Sequence, residues 1–63
     1  MKISELVREE RKKAGMTQEK LSQFSGVYRS IITRIESDKY NPSVYTLEKI
    51  SNGLDKELHI FFE

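Results

Sequence analysis

The chain has 63 residues, of which 11 are Lys or Arg, 10 are Asp or Glu and one is His, so its formal net charge is +1. It contains no cysteine, which excludes disulfides and thiolate metal sites, and one His cannot hold a metal ion without several carboxylates. No apolar run approaches the roughly 20 residues that span a bilayer, and the N-terminal residues lack the apolar stretch of a signal peptide, so we expect a cytoplasmic protein that binds no membrane.

The first predicted helix runs from Lys2 or Ile3 to Ala14, and Gly15 is expected to end it in the left-handed conformation. Apolar residues recur along this helix at three- and four-residue spacing. We therefore expect its inner face to consist of Ile3, Leu6, Val7 and Ala14.

A short helix and a glycine turn follow. Thr17 can cap a helix through its hydroxyl, and residues Gln18 to Ser25 continue that helix. Leu21 and Phe24, three apart, share one of its faces. Gly26 permits the sharp bend that follows. This order of features is typical of the first half of a helix-turn-helix.

The next helix is predicted over residues Tyr28 to Ser37. Ile32 and Ile35, three apart, are expected to be buried. The opposite side then presents hydrogen-bonding side chains of the kind that contact base edges and phosphates. They are Arg29 at the first turn, then Ser30, Thr33, Arg34 and Ser37.

A fourth helix is predicted after Pro42, with Ser43 as its N-cap. Residues 58–62 alternate and are rich in aromatic and β-branched residues, which is typical of a short strand. The alternative is a fifth helix in which Phe61 and Phe62 fill the core. The buried stripe of the fourth helix is expected to consist of Val44, Leu47, Ile50 and Leu54.

At these residues the chain resembles the Cro/repressor (XRE-like) family of bacterial and phage helix-turn-helix domains. The resemblance implies an all-α fold, a compact repressor-like domain of four to five helices that occupies residues 1–63 as one helix-turn-helix unit. A short C-terminal strand that pairs across a dimer would be an addition to that fold. The matching residues cover most of the chain and are Gly15 to Leu21, Gly26 and Val27, Ile32 to Glu36, Asn41 to Ser43 and Leu47 to Ile50.

This resemblance implies a sequence-specific double-stranded DNA-binding transcriptional regulator, a repressor or autoregulator that reads a palindromic operator as a homodimer. The alternative is an antitoxin or controller component of a toxin–antitoxin or restriction–modification system, which would also bind a toxin or other partner protein. An enzyme is not expected, because the sequence has no cysteine, one His and no glycine-rich phosphate loop. For the same reason we expect no cofactor, no catalytic residue and no metal site.

The distribution of charge agrees with nucleic-acid binding. Residues 1–34 contain eight Lys and Arg against four Glu, whereas residues 35–63 contain three Lys against six Asp and Glu. The basic half contains the helix-turn-helix. Any one of these basic residues, taken alone, is more simply a solvated helix position, but their coincidence with the third helix favours a polyanionic partner.

The resemblance also assigns DNA contacts. Gln18 opens the second helix, where free amides and the helix dipole favour a phosphate, and it matches a residue that clamps the DNA backbone. Arg29 and Ser30 match base contacts at the start of the recognition helix, and Arg34 matches a base or phosphate contact one turn later. Arg prefers guanine O6 and N7, so G·C pairs are expected in each half-site. The expected DNA-binding residues are Thr17, Gln18, Tyr28, Arg29, Ser30, Thr33, Arg34, Ser37 and Lys39.

Three positions have more than one interpretation. Tyr28 stands where the family places a small capping residue, and its phenol either donates to a phosphate or only covers the corner between the second and third helices. Thr33 offers both a hydroxyl group, which can form hydrogen bonds, and a methyl group, which is suited to contact a thymine methyl. Asp38 stands where glycine is common, and although Asp tolerates the left-handed conformation, its charge would weaken phosphate binding unless it points away.

Two further predictions concern structure. Arg11 and Glu36 match a pair that family members use as an internal salt bridge between the first helix and the end of the third. A strand over residues 58–62 has no partner in its own chain, so it would pair with a second copy across a two-fold axis. The expected dimer interface is Leu58, Ile60 and Phe62.

Overall fold

The computed structural model describes residues 2–55, which form four α-helices. These are α1 (Ile3–Lys13), α2 (Gln18–Ser25), α3 (Arg29–Glu36) and α4 (Val44–Gly53). No strand lies within this part of the chain, so the predicted all-α fold is confirmed. The segment 58–62 lies outside the described residues, and with it the predicted strand, the alternative fifth helix and the interface residues Leu58, Ile60 and Phe62.

Local capping sets the helix ends. The hydroxyl of Thr17 accepts a hydrogen bond from the Lys20 amide at 3.0 Å, and the hydroxyl of Ser43 accepts one from the Thr46 amide at 3.1 Å. These are the N-caps that the sequence predicts for α2 and α4. Gly26 ends α2 with φ at 75°, a conformation that costs little only for glycine.

The core lies between α3 and the two helices that pack against it, α1 and α2, with α4 packing against α2. Ile32 and Ile35 of α3 are fully buried, as the sequence predicts, and so is Leu21 of α2. Seven apolar side chains form this core: Val7, Leu21, Val27, Ile32, Ile35, Ile50 and Leu54.

The prediction for the inner face of α1 is wrong at Ile3, Leu6 and Ala14, which are all exposed. Ser4 and Val7 are buried in their place. The physical reason is the contact that Arg11 makes with α3. Residues three and four apart share a helix face, so the inward position of Arg11 selects the stripe of Val7 and Ser4.

Two other apolar residues are exposed: Phe24, predicted to share a helix face with Leu21, and Val44, expected in the buried stripe of the fourth helix. Phe24 is 57% exposed, because the buried side of α2, which packs against α3 and α4, consists of Leu21 and Ser25, four residues apart. Val44 is also exposed, whereas Leu54, at the other end of the same helix, is buried. The helix α4 therefore contributes to the core mainly through its C-terminal half.

A close backbone approach joins α2 and α4. A β-carbon built on Gly53 would lie 2.8 Å from the Ser25 β-carbon and 2.9 Å from its α-carbon and amide nitrogen. Only glycine fits at this crossing. Among the described helices, none has both the length and the apolar character needed to cross a membrane.

Candidate nucleic-acid interface

The helix α3 is amphipathic. Ile32, Ile35 and Glu36 are buried on the side that faces α1 and α2. The other side is exposed and contains five of the residues expected to contact DNA. They are Arg29, Ser30, Thr33 and Arg34, followed by Ser37 at the C-cap.

A two-point ion pair anchors the end of α3 to α1. Arg11 donates from Nε to Oε2 of Glu36 at 2.7 Å and from Nη2 to Oε1 at 3.0 Å. Their side chains are only 12% and 5% exposed. The hydrogen bond to Glu36 raises the pKa of Arg11 and outweighs the opposing effect of burial. The guanidinium of Arg11 is therefore occupied inside the protein and does not belong to the exposed face of α3.

Glu36 also accepts hydrogen bonds from two other side chains. Gln18, the first residue of α2, donates from Nε2 to Glu36 Oε1 at 3.2 Å. Arg8 donates from Nη1 to the main-chain carbonyl of Glu36 at 3.2 Å. Arg11 in turn donates from Nη1 to the carbonyl of Met16 at 2.8 Å. One carboxylate thus fixes α1, the start of α2 and the end of α3 relative to each other.

The amide of Gln18 is held in one orientation. Its Nε2 donates to Glu36, and its Oε1 accepts a hydrogen bond from the Thr33 hydroxyl at 2.8 Å. The second N–H of the amide has no acceptor among the described residues and is available to a ligand. The hydroxyl proton of Thr33 is engaged in this intramolecular hydrogen bond, which leaves its methyl group and oxygen lone pairs for a ligand.

The loop after α3 is shaped by local hydrogen bonds. The Ser37 hydroxyl donates to the carbonyl oxygens of Thr33 and Arg34 at 2.9 and 3.2 Å. Asp38 adopts φ at 62°, which is the left-handed conformation expected there. Its carboxylate lies 3.3 Å from Lys2 Nζ in an exposed pair, so its charge is partly balanced.

Aromatic side chains flank α3 at both ends. Tyr28 precedes the helix, makes no capping hydrogen bond with its side chain, and is 79% exposed. Tyr40 follows the helix and lies beside Arg34, with Cζ of Arg34 5.9 Å from the ring centroid. The predicted contact residues do not include Tyr40.

Neither the contact of Tyr40 with Arg34 nor the hydrogen bond from Arg8 to Glu36 is predicted from the sequence. Arg8 lies three residues before Arg11, so the two guanidinium groups share one face of α1. That spacing is a signal for Arg8, because a second guanidinium on the face of α1 that meets the end of α3 can donate to the main-chain carbonyl of Glu36 while Arg11 binds its carboxylate. The position of Tyr40 depends on the loop geometry, for which the sequence has no periodic signal.

The four helices and the exposed face of α3 define a helix-turn-helix protein, and comparison with known families agrees. The family model described as Helix-turn-helix matches residues 7–61. The chain belongs to this Cro/repressor-type (XRE-like) family. This is a family of DNA-binding regulators and not a class of enzymes.

The relatives include archaeal and phage regulators. An uncharacterized HTH-type transcriptional regulator of Archaeoglobus fulgidus is 43% identical over 58 residues, which are 87% of this chain and 83% of the relative. One from Methanothermobacter thermautotrophicus is 40% identical over 52 residues, 82% of this chain and 75% of the relative. The immunity repressor protein of Bacillus phage phi105 is 35% identical over 54 residues, 86% of this chain but 38% of the repressor.

Among solved structures, the wild-type restriction–modification controller protein C.Esp1396I superposes with a TM-score of 0.84 at 34% sequence identity. The match covers 87% of this chain and 72% of the controller protein. The chain therefore has the DNA-binding fold of helix-turn-helix transcriptional regulators.

Proposed function

We propose that this chain is a sequence-specific regulator that binds a palindromic operator in double-stranded DNA as a homodimer and represses transcription, its own gene included. The observation that supports this best is the division of α3 into a buried face, held by Glu36, and an exposed face with Arg29 and Arg34. We further propose that residues 1–63 act as a single DNA-binding domain.

The exposed face of α3 suits base recognition. Arg29 and Arg34 are five residues apart, which corresponds to about 7.5 Å along a helix axis. That length spans roughly two base-pair steps at 3.4 Å each. Each guanidinium can donate two hydrogen bonds to guanine O6 and N7. Ser30 and Thr33 lie between them on the same surface and complete the proposed set of base contacts.

The surrounding residues suit the phosphate backbone. Gln18 is held at the start of α2 with one N–H available, next to the free main-chain amides of that helix end. Thr17, Ser37 and Lys39 are exposed on either side of α3. Contacts of this kind determine the orientation of the protein on DNA without reading its sequence. The exposed ring of Tyr28 is proposed to contact the backbone at the start of α3.

The proposed dimer rests on the sequence of residues 58–62. Pairing of Leu58, Ile60 and Phe62 across a two-fold axis would place two copies of α3 about 34 Å apart, one turn of DNA. Sedimentation of the full chain and of a variant without residues 57–63 tests this proposal. A dimer that becomes a monomer on truncation supports it, and a monomeric full-length chain at micromolar concentration contradicts it.

The DNA-binding proposal is tested by selecting bound fragments from genomic DNA with the purified chain and measuring affinity at several salt concentrations. The selected fragments should share an inverted repeat. Affinity should fall steeply with salt, with a log–log slope of about −0.9 for each phosphate contacted. A flat response between low and physiological salt would contradict the proposal.

A controller role in a restriction–modification system is the second candidate, and the similarity to the controller protein C.Esp1396I favours it. An antitoxin role would add a toxin as a protein partner. The neighbouring genes distinguish the two roles. A methyltransferase and a nuclease beside this gene would support the controller, and a toxin gene would support the antitoxin.

A further inference from the structure

The ring of Tyr40 lies beside the guanidinium of Arg34, 5.9 Å from Cζ to the ring centroid. This distance is within the reach of a cation–π interaction. Both side chains remain accessible, and Tyr40 is 38% exposed. The pair therefore lies at the surface that is proposed to meet DNA.

The loop after α3 fixes the position of the ring. Asp38 turns the chain through the left-handed conformation, and the amide of Lys39 then donates to the carbonyl oxygen of Arg34 at 2.9 Å. Tyr40 follows at once, so its main chain is tied to the residue whose side chain it contacts. The turn at residues 38 and 39 therefore brings the ring of Tyr40 close to the side chain of Arg34.

We propose that Tyr40 is a positioning residue for Arg34, which increases discrimination at the base pair that Arg34 contacts. This inference rests on the proposed function. An aromatic ring beside one face of the guanidinium leaves its in-plane N–H donors available for a base. A side chain already restricted by the ring loses less conformational freedom when it binds.

Two other roles for Tyr40 would give different results. A ring that only packs the loop would change stability and would weaken binding to every DNA sequence. A phenol that donates to a phosphate would be lost in Tyr40→Phe, which keeps the ring. Tyr40 borders an open groove of about 640 Å³ together with Ile3, Ser4 and Ile35. Because its ring is not enclosed by the core, a smaller side chain leaves no buried cavity, and Tyr40→Leu is expected to fold.

The test is a double-mutant cycle on the full chain with the selected operator. Tyr40→Leu and Tyr40→Phe are measured in the wild-type and Arg34→Ala backgrounds. Tyr40→Leu should weaken operator binding about two- to five-fold, the size of an exposed cation–π contact. It should have no effect once Arg34 is Ala, and Tyr40→Phe should bind like the wild type. The loss should also disappear on an operator whose Arg34 base pair is changed.

Phe24→Leu is the matched control, because Phe24 forms a similar pair with Lys20 at 5.2 Å on α2. It should leave operator binding unchanged. Equal losses for Tyr40→Leu in both backgrounds, or a loss in Tyr40→Phe, would overturn the positioning role alone. Absence of sequence-specific binding by the wild-type chain would overturn the proposed function and this role together.

Discussion

Arg11 binds both carboxylate oxygens of Glu36 in a nearly solvent-free position, with contacts of 2.7 and 3.0 Å. The same carboxylate accepts from Gln18. The internal framework of the domain and its proposed phosphate contact are therefore connected through one residue. A substitution that breaks the Arg11–Glu36 pair should lower the stability of the fold, and DNA binding should weaken because the fold is less stable.

We predict that Arg11→Ala lowers the free energy of unfolding by about 3–5 kcal/mol, because it leaves the buried Glu36 carboxylate without its charge partner. A chain of this length has only about 3–9 kcal/mol in total, so the variant should lose a large part of its stability and unfold at a much lower urea concentration. Urea denaturation followed by circular dichroism measures the effect. Lys13→Ala is the control, since Lys13 forms an exposed pair with Glu10 at 3.5 Å, and it should change stability by less than about 1 kcal/mol.

The raised pKa of Arg11 also determines how its contribution to the free energy of unfolding depends on pH. A basic group whose pKa rises on folding contributes its full stability below its unfolded pKa, and the contribution decreases only as pH rises toward the folded value. Arg11 therefore remains charged at all pH values used for binding measurements. Its contribution to stability should be constant across them.

Arg29→Ala and Arg34→Ala should each weaken operator binding by about 1–3 kcal/mol, the usual value of a bidentate contact with guanine. Binding to unrelated DNA should change much less. Gln18→Ala should weaken both kinds of binding more evenly, because its proposed partner is a phosphate. Fluorescence anisotropy with operator and scrambled duplexes measures the ratio. If both Arg variants protect the operator like the wild type, α3 does not face the bases.

Asp38→Gly should tighten DNA binding, because it removes a negative charge beside Lys39 and releases Lys2 from its ion pair. The gain should shrink as salt screens these exposed charges. Asp55→Gly is the matched control, since Asp55 also has a positive φ, 56°, but lies after α4. Both variants gain the same backbone freedom, so a similar gain for Asp55→Gly would refute an electrostatic effect specific to the α3 loop.

Gly53→Ala should lower the free energy of unfolding by about 1–3 kcal/mol, the range typical of overpacking. The added methyl would lie within 2.9 Å of the main chain of Ser25, which cannot rotate away. Asn52→Ala, one residue earlier and exposed, should be neutral or stabilise by up to about 0.7 kcal/mol through helix propensity. Thermal unfolding of the two variants gives the comparison. Equal midpoints would show that α2 and α4 separate at little cost.

Helix limits and the buried face of α3 could be predicted because they depend on local chemistry. Thr17 and Ser43 cap their helices with hydroxyl groups, and the three-residue spacing of Ile32 and Ile35 fixes the inward side of α3. The residues proposed to contact DNA came from the resemblance, and five of them, Arg29, Ser30, Thr33, Arg34 and Ser37, are exposed along α3 and its C-cap.

What the sequence could not predict depends on contacts between helices. Periodicity identifies an apolar stripe but not the rotation at which a helix meets its neighbour, so Leu6 is predicted on the inner face of α1 although it is exposed. The network around Gln18 joins residues 15 and 18 positions apart in the chain. No local pattern indicates that a glutamine at a helix start will be oriented by a carboxylate on another helix.

The separation of the two faces of α3 has an evolutionary consequence. Arg29, Ser30 and Arg34 are exposed, so we expect the fold to tolerate their replacement, and under the proposed function a duplicated gene could acquire a new operator one mutation at a time. Arg11 and Glu36 cannot change in this way, because each single step leaves a buried charge unpaired. Copies of this fold can therefore diverge in the DNA they bind while they retain a common interior.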